Sequence, residues 1–244
     1  MRDNKILFVT GASSEVGTAL IDAVADNYTT IVAHYRNSID RLLPLEDRLG
    51  DKLVTVQADF SDDASVRGML DFMAERHLQP DHIVHLAAAP MENEKFKKLS
   101  WCDFAAATDT DLRPIIDILG DFLPFMSKQK YGKVIFMLTS CTLGMPPKYK
   151  SVYTTAKYAL LGLMKSLAVE YADRGIAING VSPEMIDTRF LDNLPDLIKD
   201  MNAETMPMKK NLTVSQVVPT FSFLLSDGAD MISGQNIGIT DTMH

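Results

Sequence analysis

The sequence predicts an α/β fold in which a doubly wound parallel sheet of about seven strands carries helices on both faces. Seven short runs rich in β-branched residues lack polar alternation, as is typical of strands covered on both faces. Segments with helical periodicity, each about ten or more residues long, separate these runs, and strand alternating with helix favours parallel pairing through right-handed crossovers. The chain has 244 residues, 46% of them hydrophobic, which is enough for one large core.

The strands are predicted first, because their carboxyl ends locate any ligand site in an open parallel sheet. They are Ile6–Thr10, Thr30–His34, Leu53–Gln57, His82–Leu86, Lys133–Leu138, Ile176–Gly180 and Asn236–Thr240.

Three helices have boundary or periodicity signals of their own. Ser61 leads a helix that ends near His77, a capping box opens another over 213–225, and one apolar face runs through 151–172. The stretch 187–211 is too irregular for a sheet element and too apolar for a linker, so it is interpreted as a substrate lid. Because no linker or repeat interrupts the chain, residues 1–244 are predicted to form a single domain.

Composition excludes several classes of function. The formal net charge of −8 has the wrong sign for binding a nucleic-acid backbone. Two cysteines, Cys102 and Cys141, cannot form a dense disulfide framework, which favours a reducing cytoplasm. The apolar run after the first five residues is too short for a signal peptide or a membrane span, and the five histidines lack metal-ligand spacing. A cytoplasmic protein without nucleic-acid, membrane or metal partners is expected.

The first predicted strand ends in the turn Thr10-Gly11-Ala12-Ser13-Ser14-Glu15-Val16-Gly17, which leads into a helix. Gly11 permits a tight turn, Gly17 allows the helix to pack closely on the strand, and the N–H groups of the helix N-terminus face an anion. The turn therefore predicts a dinucleotide phosphate site, although a plain strand-to-helix turn is the alternative. Its candidate binding residues are Gly11, Ser13, Ser14, Glu15, Val16 and Gly17.

Arg36 follows the second predicted strand, where a dinucleotide fold places either an acid on the adenosine ribose or a base on its 2′-phosphate. An arginine fork suits a phosphate, whereas a carboxylate would repel it. The sequence therefore favours NADP over NAD, the alternative being an ordinary surface arginine.

Tyr153 and Lys157 are spaced i,i+4 on the long helix, so the phenol and the ammonium share one face. The nearby ammonium is expected to lower the pKa of the phenol and make it a usable acid or base. Ser140 lies at the carboxyl end of a predicted strand, from which its hydroxyl can donate to a carbonyl oxygen, although a strand-end cap is the alternative. Cys141 is interpreted as a small buried residue rather than a nucleophile.

Together these residues resemble the short-chain dehydrogenase/reductase family along nearly the whole chain. The matching positions are Thr10, Gly11, Gly17, Asp59, Ser140, Tyr153, Lys157, Asn179, Pro183 and Thr188. The resemblance implies that tyrosine transfers the proton, that lysine lowers its pKa and holds the nicotinamide ribose, and that serine orients the carbonyl. It also implies a homodimer or homotetramer, and cofactor contacts from Asp59 and Phe60 to adenine, Ala87 to ribose, and Ile186 and Thr188 to the nicotinamide side.

Five departures from the family pattern concern the same sites. Glu15 replaces the middle glycine, His85-Leu86-Ala87-Ala88 replaces Asn-Asn-Ala-Gly, Glu184 follows Pro183 in place of glycine, and Thr240-Asp241-Thr242-Met243 lacks the terminal glycine pair. Asp111 aligns with the asparagine that holds a water beside the lysine. We expect this carboxylate to pair with Lys157 and raise the lysine pKa.

The expected function is an NADP-dependent oxidoreductase that transfers a hydride between NADPH and a ketone or aldehyde, resembling short-chain carbonyl or 3-oxoacyl reductases. The alternative is a nucleotide-binding sensor or scaffold that has lost turnover, which the departures favour and the intact Ser-Tyr-Lys set disfavours. A 3-oxoacyl thioester, a sugar, a steroid and a simple ketone all remain open as substrates.

Overall fold

A seven-stranded parallel sheet forms the centre of the computed structural model, which describes residues 4–91, 93–192 and 194–240. The strands run in the order β3-β2-β1-β4-β5-β6-β7. They are β1 (Ile6–Thr10), β2 (Thr30–Tyr35), β3 (Leu53–Gln57), β4 (His82–His85), β5 (Gly132–Met137), β6 (Ile176–Pro183) and β7 (Asn236–Ile239). All seven predicted strands are present, and the predicted α/β class is confirmed.

Helices cover both faces of this sheet. They are α1 (Glu15–Val24), α2 (Leu43–Leu49), α3 (Asp63–Glu75), α4 (Trp101–Asp111), α5 (Arg113–Gln129), α6 (Ser151–Glu170), α7 (Asp196–Thr205) and α8 (Val214–Leu225). Along β1, Leu7 and Val9 join the core cluster that contains α1 and α8, whereas Phe8 joins the cluster with α3, α5 and α6. Because successive strand residues point to opposite faces, both faces of β1 must be apolar.

The strand order reverses at β1, which pairs with β2 on one side and with β4 on the other. Successive crossovers leave the sheet in opposite directions from this point, so a crevice opens beyond the carboxyl ends of β1 and β4. The turn after β1 leads directly into α1 at this crevice. The topology therefore brings the glycine-containing turn and the ends of β4, β5 and β6 to one edge of the sheet.

The stretch 187–211 contains more regular structure than the sequence predicts. A short 3-10 turn covers Arg189–Leu191, and α7 follows. No residue of α7 is fully buried, and Ile198 is the one described residue of this helix that packs against a core cluster, so its helical pattern is weak in the sequence. The strand β6 also extends to Pro183 rather than ending near Gly180, which places Glu184 directly at the sheet edge.

Within the described ranges, no helix combines the length and apolar character needed to cross a bilayer. The same residues contain no group of three or more histidine, cysteine or acidic side chains that could hold a metal ion. Residues 241–243, where the sequence lacks the family's terminal glycine pair, lie outside the part of the chain that the structure describes.

Candidate active site

The glycine-containing turn is packed too closely to tolerate side chains at two positions. Gly11 has a φ of +66°, and a Cβ there would lie 2.8 Å from the Ala87 nitrogen. A Cβ on Gly17 would lie 2.6 Å from the Ala12 carbonyl oxygen. Ser14 caps α1, because its hydroxyl accepts the N–H of Gly17 at 3.0 Å. The turn thus presents a capped helix N-terminus at the sheet edge, the geometry that receives a phosphate.

A buried histidine forms a hydrogen bond with the main chain of this turn. His34 Nδ1 accepts the N–H of Gly11 at 3.0 Å, while Nε2 donates to the Ala58 carbonyl at 3.0 Å. Burial lowers the pKa of His34 to about 4, which agrees with a neutral ring that both accepts and donates. The ring of Phe60 stacks on His34 at 4.1 Å between centroids. Because the Phe60 ring is buried, an adenine contact from this residue would have to come from its main chain.

Glu15 lies between two arginines, Arg41 and Arg189, neither of which is among the site residues predicted from the sequence. Its Oε1 accepts the main-chain N–H of Arg189 at 3.3 Å and lies 3.7 Å from Arg189 Nε. Its Oε2 lies 3.9 Å from Arg41 Nη1, which donates to the Ser13 carbonyl at 3.3 Å. The carboxylate therefore has compensating positive charge on both sides. Arg41 had a usable signal, since it is a second arginine shortly after β2; Arg189 is too distant in sequence to have one.

The other predicted adenosine-side residues lie near the end of β2. Arg36 follows β2 directly and is exposed, and its carbonyl accepts from the Gln57 side chain at 2.9 Å. The Asp59 carboxylate accepts both the N–H and the hydroxyl of Ser61, and these bonds lower its pKa; nearby Arg36 lowers it further. The structure thus places the exposed Arg36 close enough to Asp59 to act on its carboxylate.

Three predicted catalytic side chains line one cavity at the sheet edge: Ser140, Tyr153 and Lys157. Tyr153 and Lys157 lie one turn apart on α6, and Lys157 Nζ is 5.8 Å from the centre of the tyrosine ring. Lys157 is buried, and its Nζ donates to the Met137 carbonyl at 3.3 Å. Ser140 occupies the short turn after β5, where its hydroxyl donates to Glu184 Oε2 at 2.8 Å.

The expected pKa shift of Tyr153 is wrong in direction. Burial raises the pKa of this phenol, and a hydrogen bond with Thr139 lowers it only in part. Burial also lowers the pKa of the Lys157 ammonium. At neutral pH the structure therefore holds Tyr153 protonated, as a proton donor requires.

Asp111 lies at the end of α4, is buried, and accepts the N–H of Ala89. Burial raises the pKa of Asp111, and the nearby Lys157 opposes that shift. The prediction that Asp111 acts to raise the pKa of Lys157 is confirmed in direction, but burial of the ammonium lowers that pKa by more.

The remaining cofactor candidates divide by position. Several line the same cavity as the catalytic set, namely Ser14, Glu15, Val16, Ile186 and Thr188. Ala87 lies against the turn, where its N–H points to the Thr10 hydroxyl at 3.4 Å. Ser13, Arg36, Asp59 and Phe60 lie outside the cavity lining, toward β2 and β3.

The sheet topology, the glycine-containing turn and the Ser-Tyr-Lys set define a dinucleotide-dependent oxidoreductase of the Rossmann type. Residues 11–242 match the family model described as enoyl-(acyl carrier protein) reductase. The chain belongs to the short-chain dehydrogenase/reductase family, as the resemblance predicted.

Curated relatives and solved structures agree with this assignment. The chain is 28% identical to 3-oxoacyl-(acyl-carrier-protein) reductase FabG of Staphylococcus epidermidis, over 99% of both chains. It is 23% identical to the FabG of Thermotoga maritima, over 97% of this chain and 96% of the relative. In fold it resembles a gluconate 5-dehydrogenase from Burkholderia cenocepacia in complex with NADP and tartrate, with a TM-score of 0.86 at 21% identity, covering 98% and 94% of the two chains.

Proposed function

We propose that this protein is an NADP-dependent oxidoreductase that transfers a hydride between NADPH and a ketone or aldehyde, or an alcohol in the reverse direction. The observation that carries the proposal is that Ser140, Tyr153 and Lys157 line one cavity beside the glycine-containing turn. A hydrogen-bond donor, a proton donor and a cation beside a phosphate-binding turn suit carbonyl reduction.

The turn fits a dinucleotide, because Gly11 and Gly17 let it pack against Ala87 and Ala12 while the N-terminus of α1 lies at the edge of the sheet. The α1 N-terminus and Arg41 would hold the diphosphate, and Lys157 the ribose. When bound, the dinucleotide supplies or accepts the hydride. Tyr153, which burial keeps protonated at neutral pH, donates the proton to the carbonyl oxygen in the reductive direction.

NADP rather than NAD is proposed because Arg36 is exposed at the end of β2, where the 2′-phosphate of the adenosine ribose is expected. No carboxylate precedes it in that turn, and Asp59 is already engaged by Ser61. The gluconate 5-dehydrogenase of similar fold holds NADP, which supports the proposal.

A sensor or scaffold without turnover is the second candidate, and the contact between Ser140 and Glu184 favours it. A hydroxyl that donates to a carboxylate is not free to donate to a carbonyl oxygen. If the protein is a reductase, Glu184→Gly should release Ser140 and raise kcat/KM up to about ten-fold. A sensor would bind NADPH equally well before and after the substitution and turn over in neither form.

The decisive experiment measures NADPH and NADH oxidation against a panel of ketones and aldehydes, with cofactor binding measured in parallel by fluorescence. We expect turnover with NADPH and weaker turnover with NADH. Tight binding of NADPH with no oxidation across the panel would contradict the reductase and support the sensor.

We also propose a homodimer or homotetramer that packs through α4, α5 and α6. Large apolar side chains are exposed on these helices, including Trp101, Ile116 and Val169. Sedimentation at several concentrations would measure the stoichiometry, and Trp101→Glu with Val169→Glu should shift it toward monomer.

A further inference from the structure

A buried lysine outside the family's catalytic set lines the same cavity. Lys150 immediately precedes α6, three residues before Tyr153, and only 6% of it is exposed. The sequence gives no hint of this burial, because Lys148 lies two residues earlier in the same turn and is exposed. The contrast between these two lysines shows that the fold buries one ammonium at the wall of the cavity.

The surroundings of Lys150 do not neutralise its charge. Its Nζ contacts the Met91 sulfur at 2.8 Å, and a thioether is only a weak acceptor. Across residues 4–91, 93–192 and 194–240, no carboxylate forms an ion pair with Lys150. Burial accordingly lowers the pKa of this ammonium. A buried cation without an anion is costly, so its retention at a cavity wall points to an anion that arrives with the ligand.

The apolar residues around this ammonium would strengthen such a contact. Met91 packs with Leu191 and Leu194, which belong to the stretch 187–211, and Tyr153 packs against the same cluster. The stretch 187–211 would shield an ion pair formed here from water. A charge-assisted hydrogen bond is stronger where water is excluded.

Resting on the proposed reductase function, we propose that Lys150 binds the carboxylate of a short oxo acid, whose ketone is the group reduced at Tyr153. Lys150 and Tyr153 are three residues apart at the start of α6 and line the same cavity, so one small substrate can contact both side chains. A single ammonium matches one negative charge, which favours a carboxylate over a phosphate dianion.

Glu184 sets the direction of such a substrate. Its carboxylate accepts the hydroxyl of Ser140 and lines the same cavity as Lys150. An anionic group is repelled by Glu184 and attracted by Lys150. The two charges therefore favour one orientation of an oxo acid, with the carboxylate toward α6 and the stretch 187–211.

The test compares acetoacetate and levulinate with their neutral methyl esters as substrates for NADPH oxidation. For the natural sequence, we expect kcat/KM to be higher for an acid than for its ester. Lys150→Met should lower kcat/KM for the acids by about ten- to a hundred-fold and leave the esters nearly unchanged. Lys150→Arg should restore part of the preference, and Lys148→Met, which removes an exposed charge from the same turn, should change neither.

Binding of the same acids to the NADP-loaded protein, measured by calorimetry, separates this proposal from the proposed function. Binding that disappears in Lys150→Met supports the carboxylate site, even if no acid or ester is reduced and the reductase proposal fails. Absence of acid binding to the natural sequence, or an equal loss for acid and ester in Lys150→Met, would overturn it. A folded Lys150→Met is expected, because methionine fits the apolar surroundings and removes a buried charge; an unchanged or higher Tm would verify this.

Discussion

Two groups of residues, here called the catalytic wall and the cofactor rim, handle charge in opposite ways. In the catalytic wall, made of Ser140, Tyr153, Lys157 and Asp111, burial is the largest influence on the pKa of each of the last three residues. In the cofactor rim, made of Glu15, Arg36, Arg41 and Arg189, side chains reach solvent and opposite charges lie 3.7–3.9 Å apart.

This difference determines how strongly the substitution of one side chain changes activity or binding. A buried group has no water to replace a lost partner, so its chemistry depends on a few fixed neighbours. Exposed charges are screened by salt and share partners, and isolated surface pairs contribute about 0–1 kcal/mol. We therefore expect large effects of single substitutions in the catalytic wall and small ones in the cofactor rim.

The largest effect is expected for Tyr153→Phe. Removing the positioned acid should lower kcat by about 10²–10⁴ while NADPH affinity stays close to that of the natural sequence. Steady-state NADPH oxidation and fluorescence titration measure the two quantities. Tyr158→Phe is the matched control, because Tyr158 lies on the same helix with 45% of it exposed. Substantial activity in Tyr153→Phe would refute the assigned proton donor.

The second effect concerns acid stability, because two buried histidines contact the glycine-containing turn, His34 at Gly11 and His85 at Thr10. Burial lowers the pKa of His34 to about 4 and that of His85 to about 3, so both stay neutral in the fold while an unfolded chain binds protons below about pH 6.5. Their contribution to stability is complete above that pH and is lost as the pH falls toward the folded values. The loss could reach about 3 kcal/mol for His34.

Thermal unfolding between neutral pH and pH near 4.5 checks this expectation. His34→Asn keeps an acceptor for the Gly11 N–H but no longer titrates, so it should flatten the fall in Tm. His77→Asn removes an exposed histidine and should leave the pH dependence unchanged. A pH-independent Tm in the natural sequence would contradict the burial argument.

Some residues of the candidate site could be predicted from the sequence, and others could be found only from the fold. Ser140, Tyr153 and Lys157 could be predicted from the sequence because their positions depend on local structure. Ser140 lies at the end of a strand, and Tyr153 and Lys157 share one face of a helix whatever packs around them. The contact between Glu15 and Arg189 joins residues 174 positions apart, so only the tertiary fold reveals it. The inward direction of Lys150 likewise depends on packing around Met91.

The pKa directions were unpredictable for a related reason. The spacing of Tyr153 and Lys157 shows that a cation is near the phenol, but not how deeply either group is buried. Once desolvation is included, the pKa of Tyr153 rises and that of Lys157 falls, against the trend expected from their pairing alone.

A smaller effect is expected in the cofactor rim for Arg36→Ala. A charge-assisted contact with a 2′-phosphate contributes about 1.5–3 kcal/mol, so NADPH affinity should fall about ten-fold or more while NADH affinity changes little. Arg48→Ala removes another exposed arginine, paired with Asp22, and should affect neither cofactor. Equal losses for both cofactors would show that Arg36 does not select the phosphate.

The smallest effect is expected for Glu15→Gly, because two interactions of Glu15 affect NADPH affinity in opposite directions. A carboxylate near a diphosphate repels it, which from the sequence alone predicts that Glu15→Gly tightens NADPH binding three- to ten-fold. However, Arg41 and Arg189 already offset this charge, and Glu15 holds the Arg189 N–H at 3.3 Å. Its position in the first turn of α1 adds about 0.3–1 kcal/mol to the stability of the turn.

The repulsion between Glu15 and the diphosphate and the attraction between Glu15 and its arginines each have a free energy close to that of one screened surface ion pair. We therefore expect Glu15→Gly to change NADPH affinity by less than about three-fold. Titrations at low and moderate salt, with Glu15→Gln as the variant that keeps the side-chain length, separate the charge from the backbone effect of glycine. Both variants should differ from the natural sequence most at low salt, where the carboxylate and its two arginines are least screened. A change of ten-fold or more would mean that the diphosphate displaces Arg41 and Arg189 from Glu15 and leaves the carboxylate uncompensated, which would make this part of the cofactor rim behave like the catalytic wall.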